Sequence, residues 1–179
     1  MEENPCDTRC PQQMSPASPD VRHQIAALLP RLRRFGRTLA RHPADADDLV
    51  QIAIEKALNR IDQWAPGTRL DSWMFRIMQN AWIDEVRARE RRDQTFLPEE
   101  AGAEVGVQDS QLDALAVRRA VAQLGDEQRA AVGMVLVEGF SYQEAAELLG
   151  IPIGTLTSRL ARAREALQAW LGELPKEMT

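Results

Sequence analysis

Apolar residues recur at helical spacing along most of the chain, and nowhere do they alternate with polar ones as a half-buried strand requires. From Val21 onward, Ile25, Leu28, Leu29, Leu32, Phe35 and Leu39 mark one face of a first helix, with Pro30 inside it as an expected kink or division. The pattern breaks at His42-Pro43. A second helix is expected next, capped by Asp45 or Asp47, running to about Ile61, with Leu49, Ile52, Ala53 and Ala57 facing inward. Ala65-Pro66-Gly67-Thr68 reads as a loop, and a long helix then starts at Asp71 or Ser72 and ends at Arg91-Arg92. Residues 93–110 lack periodicity and are acidic and glycine-bearing, the composition of a flexible linker. Four more helices follow, at about 111–124, 127–137, 142–149 and 153–170, interrupted at Gly125-Asp126 and Gly139-Phe140-Ser141. The pattern predicts an all-α protein. It has two small helical domains, 21–92 and 111–175, joined by the acidic linker and preceded by a proline-rich, disordered tail over 1–20.

The last two helices are the most informative. Ser141 and Glu144 form an S-x-x-E capping box, Ala145, Leu148 and Leu149 supply an apolar face, and Gly150 suits a left-handed helix end. Ile151 fills the angle and Pro152 fits the first turn of the next helix. There Leu156, Leu160, Ala163 and Leu167 form one buried stripe, which leaves Thr155, Thr157, Ser158, Arg159 and Arg162 on the other faces. Hydroxyls and guanidinium groups on such a helix suit phosphates and base edges. A helix-turn-helix with a reading helix is predicted; the plainer alternative is a helical hairpin with a solvated basic face.

The long helix is apolar nearly all round, through Trp73, Met74, Phe75, Ile77, Met78, Ala81, Trp82, Ile83 and Val86. Its polar stripe is Arg76, Asn80, Asp84 and Arg87, at i, i+4, i+8 and i+11. With Trp64 and Arg69 in the preceding loop, that stripe suits single-stranded nucleic acid. Trp73 and Trp82 are expected in the core, because large aromatics dominate core burial.

Charge sharpens this picture. The net charge is −5, yet residues 21–44 hold six arginines and no acid, while residues 93–127 hold eight acids and two arginines. Separated basic and acidic surfaces suit a protein with two kinds of partner. Cys6 and Cys10, in the tail, lack the further ligands a structural zinc needs, and no metal or other cofactor is expected. The tail has no apolar core of a signal peptide, and the longest apolar run, Ala130 to Val137, is too short to span a membrane. A cytoplasmic protein without membrane insertion is expected. No phosphate loop, nucleophile elbow or metal set accompanies Asp47, Asp48 and Glu55, and His23 and His42 have no spaced partners, so no enzyme is expected.

Three blocks occur in order: DADDLVQIAIEKALNRIDQW, LDSWMFRIMQNAWIDEVRARERR and SYQEAAELLGIPIGTLTSRLARAREAL. Together, over about residues 21–170, they resemble a bacterial RNA polymerase sigma factor of the extracytoplasmic-function group. The resemblance implies a promoter-specificity subunit with core RNA polymerase and promoter DNA as partners. By it, Asp45, Asp48, Leu49, Val50 and Gln51 match the polymerase-binding helix; where the family usually has an acidic residue next, this chain has Ile52. Trp64 to Ser72, with Arg69, matches the loop that captures a flipped base of the downstream element, backed by Asn80, Asp84 and Arg87. Thr155, Thr157, Ser158, Arg159 and Arg162 match the helix that reads the upstream element as duplex, and Thr157 stands where many relatives have a cation. Threonine cannot make arginine's bidentate guanine contact.

The resemblance also implies an anti-sigma factor. A helical partner of that kind is expected on the face around Leu49 and near Gln111 to Leu124, and the two domains are expected to fold against each other or be clamped by it. The rival is a free-standing helix-turn-helix regulator. The acidic net charge argues against that rival, because unassisted DNA binding draws much of its affinity from counterion release.

Overall fold

The helical periodicity becomes seven α-helices in a computed structural model that describes residues 19–40, 42–93 and 112–172. They are α1 (Pro19–Leu39), α2 (Pro43–Asn59), α3 (Leu70–Asp93), α4 (Leu112–Gln123), α5 (Asp126–Val132), α6 (Tyr142–Leu149) and α7 (Ile153–Gly172). A 3-10 turn, Ile61–Gln63, follows α2, and a single turn of π-helix, Gly133–Val137, follows α5. No strand occurs among the described residues. The expectations for the tail, for Cys6 and Cys10, and for the linker concern segments outside the described residues, apart from Asp93.

Several boundaries differ from the sequence pattern for local reasons. α1 runs unbroken through Pro30. α2 starts at Pro43 rather than at an aspartate cap: extended His42 precedes it and makes no side-chain cap bond. Pro43 occupies the position where a missing N–H costs nothing, and Asp45 lies in the first turn. The predicted helix over 127–137 begins at Asp126 and widens to a π turn at Gly133. The hairpin follows its pattern: Ser141 and Glu144 form the reciprocal capping box, and Gly150 (φ 66°, ψ 33°) ends α6 in the left-handed conformation.

In the first domain α1, α2 and α3 pack around Leu32, Phe35, Ala53, Ala57, Met74, Phe75 and Met78, all fully buried. Trp82 is buried and Trp73 half-buried against this core, as expected. In the second domain α4 to α7 bury Ala131, Met134, Ala145, Leu156, Leu160 and Ala163. Leu167, expected in that stripe, is only half-buried. Ile52 is a correction: it is 41% exposed on the outside of α2.

The two domains pack on each other. α1 contacts the π turn, α5 and α4, and α3 contacts α6. Three rings form a chain of edge-to-face contacts across the junction, with Phe35 to Phe75 at 5.3 Å and Phe75 to Phe140 at 5.1 Å between centroids. Gly133 lies against the first ring so closely that a Cβ there would fall 2.7 Å from Phe35.

Candidate nucleic-acid interface

The loop before α3 is built to hold its shape. Thr68 Oγ1 donates to the Ala65 carbonyl at 2.7 Å, and Gly67 takes φ 88°, which favours glycine. Trp64 is half-buried against the core, with its Nε1 buried and without an acceptor. It therefore forms the floor of the loop rather than an open platform. Along α3 the predicted stripe of Arg76, Asn80, Asp84 and Arg87 is exposed; Asp84 accepts from Lys56 Nζ of α2 at 3.4 Å.

Two cations of this face are engaged by the second domain. Arg69 donates Nε and Nη2 to Asp71, at 3.1 and 2.9 Å, and Nη1 to Glu144 of α6. Arg76 Nη2 donates to the Glu147 carbonyl at 3.3 Å. Asp71 also accepts from Arg31 Nη1 at 3.2 Å and from the Ser72 N–H at 2.8 Å. The hydrogen bonds from Arg69 are the main reason its carboxyl is held down at about 2, against the upward push of burial.

Beneath that rim lies a residue the sequence pattern did not single out. Glu138 has a wholly buried side chain, and its carboxylate accepts from Arg31 Nε at 3.0 Å and from Arg34 Nε and Nη2 at 2.8 and 3.1 Å. The Arg34 guanidinium is raised above its ordinary pKa by these bonds. Arg31 also sits over the rings of Phe75 and Phe140, at 5.2 and 5.7 Å. The legible signal was half present: the arginines of residues 21–44, with no acid among them, require a carboxylate from elsewhere when they face a junction.

The second candidate surface is α7. Thr157 and Ser158 are exposed and Thr155 half-buried. The Thr157 hydroxyl donates to the Ile153 carbonyl and the Ser158 hydroxyl to the Thr155 carbonyl, both at 2.9 Å. Arg162 is exposed. Arg159 is not free: its Nη2 pairs with Glu127 of α5 at 2.6 Å, and its side chain is 20% exposed. Arg164 donates to the Tyr142 hydroxyl at 3.2 Å.

The residues matched to polymerase binding divide in two. Asp48 and Gln51 face solvent, and Asp45 accepts from Arg89 of α3 at 2.7 Å. Leu49 is turned into the core, as its place on the inward face of α2 predicts, and Val50 with it; both are 4% exposed. They hold the helix in place, and Ile52 supplies the outward apolar surface instead.

A cleft of about 720 Å³ lies beside α1 and α4, lined by Arg33, Arg37 and Arg118 and by Val117, Val121 and Val137. It coincides with part of the region where a helical partner is expected. Among the described residues no group of His, Cys, Asp and Glu converges as a metal would need, and no helix is long and apolar enough to cross a membrane.

Comparison with known proteins places these surfaces in a family. Residues 24–92 match sigma-70 region 2 and residues 114–167 match sigma-70 region 4. The chain is 36% identical over 163 residues to the ECF RNA polymerase sigma factor EcfG of Rhodopseudomonas palustris, covering 87% of each. The fold is similar to that of the sigma factor RpoE of Bartonella quintana, solved with the anti-sigma factor NepR. The TM-score is 0.76 at 34% identity, over 87% of this chain and 99% of that one. It is also similar to CnrH, solved with the cytosolic domain of CnrY, with TM-score 0.65 at 25% identity over 89% and 94%.

Proposed function

Given that the chain belongs to the extracytoplasmic-function sigma factors of RNA polymerase, we propose that α2, the Trp64 to Ser72 loop and α7 are its three working surfaces. The protein is a promoter-recognising sigma subunit, which binds core RNA polymerase and promoter DNA. The observation that carries the assignment is the order of the two matched regions on one chain, each containing a surface of the chemistry its role requires. Within that role, Asp48, Gln51 and Ile52 of α2 form the outer face offered to polymerase, supported from behind by Leu49 and Val50 and held by the Asp45–Arg89 pair.

The loop and the stripe Asn80, Asp84 and Arg87 would take the displaced strand of the downstream element. Unstacking a base costs a few kcal/mol, and a loop already fixed by Gly67, Thr68 and the Trp64 floor lowers the added cost of ordering it. Arg69 supplies the cation there. On α7, Arg162 is the residue we assign to a guanine or phosphate of the upstream element. Arg159 orients the helix through Glu127 instead of reaching for DNA. RNA synthesis itself is the polymerase's chemistry, and the subunit is regulatory. We place it in the cytoplasm, where polymerase works, and propose an anti-sigma partner, because a similar sigma factor was solved with one.

Transcription reconstituted from core polymerase, the full chain and a genomic promoter library tests this reading. Promoter-dependent transcripts are expected only with both proteins present. Tight sequence-specific binding by the chain alone, without stimulation by polymerase, would sink it in favour of a free-standing regulator. Arg162→Ala is expected to cost about 1–3 kcal/mol of upstream-element recognition.

A further inference from the structure

The reading face of α7 has an unusual chemistry. Leu156, Leu160 and Ala163 are buried, so at 3.6 residues per turn the opposite side presents Gly154, Thr157, Ser158, Ala161 and Arg162 to solvent. Gly154 has no heavy atom near the place a Cβ would take, and Ala161 is exposed. Thr157 and Ser158 have turned their hydroxyl donors onto their own helix, toward the Ile153 and Thr155 carbonyls. Arg159 is drawn to Glu127 and Arg164 to Tyr142. What remains toward a ligand in the first two turns, beyond the exposed Ile153 at the helix start, is small, with the Thr157 methyl foremost and Arg162 at its far edge. Glu165, exposed one turn beyond Ala161, limits how far along the helix a phosphate backbone can run.

We propose that α7 reads the upstream promoter element by apolar contact of the Thr157 methyl and Ala161 with the 5-methyl groups of thymines. This rests on the reading of α7 as the promoter-recognition helix and names the chemistry it selects. In the major groove the thymine methyl separates an A·T pair from its alternatives without a hydrogen bond, and alanine and threonine methyls are its natural partners. Backbone approach fits the same picture, since Gly154 opens space at the start of the helix where recognition residues first meet base edges. A donor-based readout at Thr157 would instead require the hydroxyl to leave the Ile153 carbonyl.

The test uses holoenzyme reconstituted with core polymerase and a promoter on which the chain is active. Each thymine of the upstream element is replaced in turn by uracil, which lacks the methyl group and keeps every hydrogen-bonding group. We expect output to fall about fourfold at one or two positions, the worth of a single buried methyl. Thr157→Ser removes the same methyl from the protein side and is expected to lower output on the thymine promoter by a similar factor. It should add no further loss on the uracil promoter. Thr157→Val, which keeps the outward methyl and removes the hydroxyl, should retain the discrimination. If full promoter-dependent output persists with uracil at every thymine position, or if the serine variant loses activity equally on both promoters, methyl readout is wrong while the sigma assignment stands. Failure of any promoter to respond to the chain would overturn the assignment on which the inference rests.

Discussion

The two proposed DNA-binding surfaces differ in what occupies them. On α7 the reading face lies open, with Arg162 exposed. On the first domain Arg69 and Arg76 are held by Glu144 and by the Glu147 carbonyl, both on the helix that precedes α7. Arg69 cannot serve a strand of DNA and Glu144 at once. On the proposed assignment, this arrangement leaves the α7 face available and ties up two cations of the strand-capture face while Asn80, Asp84 and Arg87 stay exposed, so full use of that face would need Arg69 and Arg76 released from α6. The contact that resists parting is not at the exposed rim but beneath it, at Glu138, Arg31, Arg34 and the Phe35–Phe75–Phe140 chain.

Removing Glu138 should break this difference most severely. Glu138→Ala strips two arginines of a buried acceptor. We expect a loss of about 3 kcal/mol, the upper end for lost hydrogen bonds to charged groups, because several are lost at once while both arginines stay part-exposed and no buried charge is left unpaired. Denaturant titration gives the stability, and distance measurement between labels on α2 and α4 gives the separation. Binding of single-stranded DNA should rise in the folded variant, with duplex binding by α7 unchanged. Equal gains on both surfaces would mean that closure covers α7 as well.

Gly133→Ala attacks the same junction without touching charge. The new Cβ would fall 2.7 and 2.9 Å from two atoms of the Phe35 ring. Overpacking of this kind costs about 1–3 kcal/mol. The expected outcome is again a wider separation of labels, now with Glu138 intact, which tells steric opening from electrostatic opening.

These junction residues also mark where sequence reasoning stopped. The helices, the loop after α2 and the capping box of α6 were legible, because each is specified by neighbours within a turn or two. The outward stripe of α3 was legible for the same reason. Glu138 lies 107 residues from Arg31, and no periodicity records such a pairing. The π turn at Gly133–Val137 continues an apolar run that reads as ordinary helix. Ile52 misled because an apolar residue adjacent to an inward face was assigned inward; it stands on the outside of α2. Arg159 was assigned a DNA contact from its type and position on α7; its pairing with Glu127 arises only from tertiary packing, which no periodicity records.

Acid should separate rim from core. The Asp71 carboxyl sits at about 2 against an ordinary 3.8. A depressed folded-state value means its contribution is complete above about pH 4 and is lost as pH falls from there toward 2. The Arg31 and Arg69 contacts to Asp71 should loosen over that window, and closure measured between labels should be flat from pH 5 to 7. Asp71→Asn should remove the part of the acid-dependent stability loss between about pH 4 and 2 that Asp71 carries, while Glu144, whose carboxyl is held below its ordinary value mainly by Ser141 and also by Arg69, keeps its own part. A transition centred near pH 6 would point to a group other than Asp71.

The smallest expected effect is the most discriminating. Glu144 has two duties: its side chain accepts from the Ser141 N–H at 2.9 Å in the capping box of α6, and it pairs with Arg69 across the junction. Glu144→Gln keeps the capping function, since glutamine serves that position as well as glutamate. It removes only the charge opposite Arg69, whose side chain is 57% exposed. An exposed pair contributes about 0–1 kcal/mol, so stability should scarcely change. Arg69, released from its carboxylate on α6 but still oriented by Asp71, should bind single-stranded DNA more readily, and the gain should fade as salt rises. A stability loss well above 1 kcal/mol would show that the rim, and not Glu138, holds the domains together.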